Sequence, residues 1–424
     1  MFKKIRDELK KLLKGGFFHI LFGGTLTKVV AFVSSIVVVR LISKQDYAYL
    51  SYADNINSYF FLFSGLGCAS AILKFCVQDD RIKNKAYLDF SFKIGSLFQL
   101  VLLIGTAVFV GVLPLPFPQA RPYLYELLLY PMLYYWIGLV QCFMRARSKN
   151  REYAVVGVLQ TVLILALSIG FVKLWNVTGV IGARYIAGIV ATLYGVFIVR
   201  EDLKLKATIK LTKEEKKTFM SFALTLLIAN IFSLIMPINE GFLVNNLLKE
   251  ETLTSNYRVA NLIPQQLPFI TTSIITYFFP IFAKMKDKRE IWSQAKKVGI
   301  INLAVIIGVT LVGYLISPWI IRLVYGDKYA DATWLMNWMW IMYAVTAGIR
   351  ILPMNILPAI GYTSFNMKLS IASCVIHLII DYVLLKMIGI GAVGIAGIVA
   401  YGLSGIGYWI YLYYQTHREM IGRE

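Results

Sequence analysis

Six Lys and Arg residues stand inside long apolar runs of this chain: Lys28, Lys74, Lys93, Arg184, Arg258 and Arg350. A cation near the centre of a bilayer costs about 2.5–3.5 kcal/mol even on the most lenient insertion scale, so such residues face a partner or a wet cavity. Lys74 and Lys93 lie near the ends of their runs, and Arg184 close to the opposite edge. Long side chains there reach the interface by snorkelling. Lys28, Arg258 and Arg350 are placed for a different use, the holding of an anionic group in a cavity. Acidic groups accompany them. Asp54 and Glu240 either neutralise Lys28 or Arg258 as buried pairs or serve substrate or coupling-ion binding. His377 and Asp381, four residues apart, could relay protons; a contact between helices is the plainer account.

Helical spacing sorts the polar residues into stripes. Thr25, Lys28 and Ser35 share one stripe. Asp54, Asn57 and Ser64 share a second, and Asn230, Ser233, Pro237 and Glu240 a third. Arg258, Asn261, Gln265 and Pro268 form the fourth. Steps of three, four and seven residues keep each set on one helix face, with one Phe interrupting each of the first two. Thr25, Asn57, Asn230, Asn261 and Gln265 would line the polar cavity, although Asn57, Asn230 and Gln265 also suit interhelical hydrogen bonding. Pro237, Pro264 and Pro268 would loosen the helices that carry them.

The elements that must position these residues follow from composition. Of 424 residues, 58% are hydrophobic and 16% charged, with a mean hydropathy of +0.66. A soluble domain runs near half apolar and a quarter charged. With about 20 apolar residues needed per crossing, the chain reads as about twelve transmembrane helices. These lie near 17–41, 47–75, 87–113, 122–144, 153–174, 179–199, 219–248, 253–282, 298–317, 331–358, 367–387 and 391–414. Residues 1–16 read as an amphipathic surface helix on the cytoplasmic side rather than a cleavable signal.

The net charge of +20 is topogenic. On this span model, 29 Lys and Arg fall on one side and eight on the other, which places the basic side and both termini in the cytoplasm. No nucleic-acid partner is implied. Cys68, Cys76, Cys142 and Cys374 have neither metal-ligand spacing nor a disulfide frame, so no metal and no cofactor are expected. The tryptophans, Trp334, Trp338 and Trp340 among them, read mostly as interfacial belt and lipid-facing bulk.

A weak repeat divides the chain. Ala187-Gly188-Ile189-Val190-Ala191 recurs as Ala396-Gly397-Ile398-Val399-Ala400, each after a glycine-bearing connection. The predicted fold is an all-α integral membrane protein with two six-helix lobes related by a pseudo-two-fold along the membrane normal. The lobes are 17–199 and 219–414, with a cytoplasmic linker at 200–218 and a tail at 415–424.

Several stretches resemble one family. They are Phe18-His19-Ile20-Leu21 through Thr27-Lys28, and Val39-Arg40-Leu41-Ile42-Ser43-Lys44-Gln45-Asp46-Tyr47. Arg145-Ala146-Arg147 to Tyr153, Tyr325 to Ala332, and Gly391 to Ala396 continue the likeness. Together they look like the bacterial polysaccharide biosynthesis proteins, the oligosaccharide-lipid flippases of the multidrug/oligosaccharidyl-lipid/polysaccharide exporter superfamily. The resemblance implies a cationic cavity between two lobes in the bacterial inner membrane. It implies carriage of undecaprenyl-diphosphate-linked glycan, an O-antigen or capsule-type repeat unit, to the external leaflet by alternating access. The prenyl tail would stay in membrane lipid. A monomer working beside polymerase and glycan-assembly proteins is expected. One departure stands out: many relatives carry an Asp-Arg-like pair in helix seven, where Glu240 is here followed by Gly241.

Other readings follow from the same residues. A multidrug/cation antiporter would use the acidic groups, but Lys28 repels cations. A peptidoglycan-precursor flippase would use the same cations. A membrane glycosyltransferase, polymerase or ligase needs an external domain, and the longest external loop is about a dozen residues. A pure assembly scaffold leaves the deep cations without a role. A transporter rather than an enzyme is therefore expected.

Overall fold

The computed structural model describes residues 17–77, 80–112, 114–205 and 209–421, and all regular structure among them is helical. The expected surface helix at 1–16 lies outside the described residues. Among the described residues, eight helical stretches are long and apolar enough to cross a membrane. Two of them are double. Asn150–Ile198 has 49 residues, which at 1.5 Å per residue is ~74 Å of helix, more than twice a bilayer core. It turns at Asn176, where φ is 51° and ψ −126°. Thr363–His417 turns at Gly389, whose φ is 66°. Two further helical stretches, Lys213–Leu243 and Glu251–Lys284, complete the twelve. They fall outside the apolar eight because they carry the third and fourth polar stripes.

The helices used below are α1 (Phe17–Leu41), α2 (Lys44–Leu62), α3 (Cys68–Phe75), α4 (Arg81–Val112), α5 (Arg121–Glu126), α6 (Tyr130–Ala146) and α7 (Asn150–Ile198). They continue as α8 (Lys213–Leu243), α9 (Glu251–Leu262), α10 (Pro268–Lys284), α11 (Lys288–Ile320), α12 (Thr333–Val345), α13 (Ile351–Ala359), α14 (Thr363–Ile388) and α15 (Ala392–Ile421). The chain forms two compact units, Met1–Ile231 and Phe232–Glu424, and the division falls inside α8.

In the first unit, α1 lies along α7, and Gly23 permits the approach because a Cβ there would stand 2.5 Å from the Ala154 Cβ. The second transmembrane element is broken. Gly65, Leu66 and Gly67 are all left-handed, with φ of 55°, 54° and 76°, and they separate α2 from α3. Tyr135 of α6 fills the space beside the break: its ring abuts Gly65 and Gly95, and its hydroxyl donates to the Ser91 carbonyl at 2.5 Å. Aromatic packing of Phe75, Tyr87 and Phe90 around Phe219, with Phe222 on Phe75, fastens the first half of α8 to this unit.

In the second unit, α9 and α10 are separated by a 3-10 turn at Pro264–Gln266. So the second transmembrane element of each unit is interrupted, here by proline rather than glycine. α12 and α13 are joined by a π-turn, Thr346–Arg350. The irregular turn leaves carbonyls without their regular helical donors, and neighbours claim them. Thr271 Oγ1 and Asn302 Nδ2 donate to the Ala347 carbonyl at 2.9 and 3.0 Å, and Trp409 Nε1 donates to the Ile349 carbonyl at 3.0 Å. Gly405 lets the turn close in, since a Cβ there would lie 3.1 Å from the Arg350 nitrogen.

The tryptophans depart from expectation in part. Trp334 is 48% exposed, whereas Trp340 is 5% exposed and packs on Gly313, and Trp338 lies against Gly394. Glycines opposite these indoles make room for them between helices, which hydropathy alone does not register.

Candidate functional site

Four buried ionisable residues of the second unit gather at one place. Glu240 comes from the second half of α8, Tyr257 from α9, and His377 and Asp381 from successive turns of one α14 face. Glu240, His377 and Asp381 are at most 1% exposed. Tyr257 donates its hydroxyl to Glu240 Oε1 at 2.7 Å. His377 Nε2 stands 3.7 Å from Glu240 Oε2 and 3.2 Å from Asp381 Oδ2. The ligand atoms of Glu240, His377 and Asp381 all lie within 4.8 Å of one another.

Glu240 Oε2, His377 Nε2 and both carboxylate oxygens of Asp381 are buried without a hydrogen-bond partner. Unpaired buried groups of this kind are rare and call for an explanation. Oxygen and imidazole donors around one point suit a small cation or a proton. The sequence places His377 and Asp381 on one helix face; the fold adds Glu240 and Tyr257.

Arg350 lies beside Tyr401. The Tyr401 ring is 5.1 Å from the His377 ring and 5.3 Å from the Arg350 guanidinium. Arg350 is 5% exposed and its Nη2 approaches Met236 Sδ at 3.8 Å. Among the described residues it makes no ion pair with a carboxylate, and its Nε has no hydrogen-bond partner. A buried guanidinium is thus held by a π-face, a thioether and a turn whose carbonyls are taken by other side chains. Tyr401 and Tyr257 escape a charge-led reading because neutral phenols among many tyrosines carry no distinguishing spacing.

The remaining predicted residues are distributed as follows. Lys28 and Thr25 are exposed on α1. Arg258 is half-buried on α9. Asn261 is 5% exposed and donates to the Tyr257 carbonyl of its own helix at 3.0 Å. Gln265 is half-buried in the proline turn. Asn57 is 4% exposed on α2, and the side chain of Asn230 lies outside the described residues.

Asp54 forms a two-armed ion pair with Arg184 of α7, at 2.5 and 2.9 Å. Arg184 therefore does not simply snorkel. Its guanidinium is drawn onto a carboxylate from α2, a fork-to-fork geometry that planar groups favour. The pairing joins residues 130 positions apart, so local spacing gives no sign of it.

The fold is one shared with known transporters. It resembles the inward-facing structure of a multidrug resistance MATE family transporter of the MOP superfamily, with a TM-score of 0.74 at 13% identity. That likeness covers 92% of this chain and 95% of the other. It also resembles the lipid II flippase MurJ in an inward closed conformation, with a TM-score of 0.76 at 15% identity over 92% and 86% of the two chains. A search of curated protein sequences finds no significant match. The long apolar helices and the fold define a multi-pass membrane protein built like these two solved structures. Residues 12–286 match the family described as polysaccharide biosynthesis protein, and the chain belongs to that family.

Proposed function

We propose that the protein is a lipid-linked oligosaccharide flippase. In this reading it carries an undecaprenyl-diphosphate-linked glycan from the cytoplasmic to the external leaflet of the bacterial inner membrane by alternating access. The observation that carries it is Arg350, a deeply buried guanidinium with no carboxylate paired to it among the described residues. An uncompensated buried cation is expensive, and an arriving diphosphate would compensate it. Lys28 and Arg258 serve the same headgroup, and Thr25, Asn57, Asn230, Asn261 and Gln265 take the glycan side of the path. The prenyl tail stays in membrane lipid, and the protein works as a monomer alongside polymerase and glycan-assembly proteins.

Glu240, His377 and Asp381 supply the coupling site. A proton or a small cation entering there would satisfy the orphaned oxygens. The Tyr401 ring, touching both His377 and Arg350, would pass that change to the substrate cation. Asp54 is assigned to structure through Arg184.

The test is accumulation analysis. Deleting the gene should leave one lipid-linked glycan accumulating on the cytoplasmic side, and Lys28→Ala should reproduce the defect with membrane insertion intact. Normal glycan in both strains, or drug hypersensitivity alone, refutes the reading. Accumulation of the peptidoglycan precursor instead would keep the mechanism and change the cargo.

A further inference from the structure

The face of the second unit at the start of α11 carries a groove that transport does not use. It is lined by Trp292, Ser293, Lys296, Lys297 and Ile300 and has a volume of about 380 Å³. These residues form two adjacent rows of the helix. Trp292, Lys296 and Ile300 follow at intervals of four, and Ser293 and Lys297 run beside them.

Lys296 and Lys297 are exposed and make no ion pair among the described residues. They are the last charged residues before the apolar run of α11 begins at Val298. Trp292 is fixed at the upper end by ring contacts with Tyr413, His417 and Trp409 at 5.2, 5.7 and 6.1 Å. Below the lysines the helix offers bare aliphatic surface: Ile300, Ile301, Ile307 and Leu311 are 53–60% exposed.

The order of chemistry along this surface is an indole and a hydroxyl, then two ammonium groups, then hydrocarbon. It matches the cross-section of one lipid leaflet, in which Trp sits at the headgroup level. We propose that this groove is a binding site for an anionic phospholipid. The phosphate bridges the Lys296 and Lys297 ammonium groups, the Ser293 hydroxyl bonds the headgroup, and an acyl chain runs down Ile300, Ile307 and Leu311. Charge complementarity selects the ligand: an ammonium near a membrane surface is attracted to anionic lipid, whereas a zwitterionic headgroup brings no net charge to two unpaired lysines.

The experiment is native mass spectrometry of the full chain in detergent with added phosphatidylglycerol or phosphatidylcholine. The wild type should retain phosphatidylglycerol preferentially. Lys296→Gln with Lys297→Gln should weaken that retention about thirtyfold, while Lys213→Gln with Lys217→Gln should leave it unchanged. Millimolar inorganic phosphate should not displace the lipid, because the acyl contacts are absent from it. Equal retention of the two lipids, an undiminished preference in the Lys296/Lys297 variant, or displacement by phosphate overturns the proposal. Melting temperatures of both double variants should match the wild type, since all four lysines are solvent-facing or half-exposed. Retention lost together with the fold would overturn it as well.

Discussion

Replacing Arg350 by Met separates a residue that builds the protein from one that binds its cargo. The guanidinium is 5% exposed, without a carboxylate partner, and its surviving interactions are the Tyr401 face at 5.3 Å and the Met236 thioether at 3.8 Å. Exchanging buried ionic groups for apolar ones of similar volume commonly stabilises by about 1–4 kcal/mol. Against that stands the loss of a desolvated cation–π contact worth about 2 kcal/mol. Met has nearly the length of the Arg stem and keeps the packing against Met236 and Tyr401. The balance falls between about 1 kcal/mol of destabilisation and about 2 kcal/mol of stabilisation. Transport should nevertheless be lost. The assays are thermal unfolding of the purified variant and surface-glycan complementation of a deletion strain. A variant destabilised by more than about 2 kcal/mol would mean that Arg350 is structural; full complementation would mean that it never touches the headgroup. Either result refutes the reasoning, which requires that stability and activity move apart.

Further outcomes follow from other sites. Asp54→Asn or Arg184→Gln alone should cost about 2–4 kcal/mol by stranding a partly buried charge, while the double variant should recover at least half of that loss in a double-mutant cycle. Gly179→Ala should collapse expression, because its Cβ would overlap the Phe171 carbonyl; Gly182→Ala, whose nearest neighbour is 3.9 Å away, should express normally. Thr212→Ala should cost about 1 kcal/mol, since Thr212 and Glu215 form a reciprocal capping box at the start of α8. The Lys83 ammonium, 2.8 Å away, and the Thr212 amide hold the Glu215 carboxyl down to about 2. Its folded value lies below the unfolded value of about 4.3. The contribution is therefore complete above about pH 4.3 and fades as pH falls toward 2. Acid titration of unfolding should show that loss in the wild type and not in Glu215→Gln.

Much of the architecture is legible because a bilayer demands long apolar helices. The interruptions were legible only where their cause is local. Pro264 and Pro268 advertise the break between α9 and α10. The left-handed Gly65-Leu66-Gly67 break reads in sequence as a glycine pair among many, because its geometry depends on Tyr135 arriving from α6. The same distinction governs the site. His377 and Asp381 are neighbours by helical period, so spacing alone pairs them. Glu240 was visible as an intramembrane acid, but its company with them depends on how α8, α9 and α14 pack. Asp54 and Arg184 each stood out as charged, and only the fold shows that they belong to each other.

The grip of Tyr135 on Gly65 and Gly95 makes three distant positions a single steric unit. Neither glycine can gain even a methyl group while the phenol ring is in place. A smaller residue at 135 would vacate the space but forfeit the bond to the Ser91 carbonyl. Mutational routes through this part of the protein therefore have an obligatory order: the aromatic must shrink before either glycine can grow. The intermediate along that route carries a cavity beside the left-handed turn.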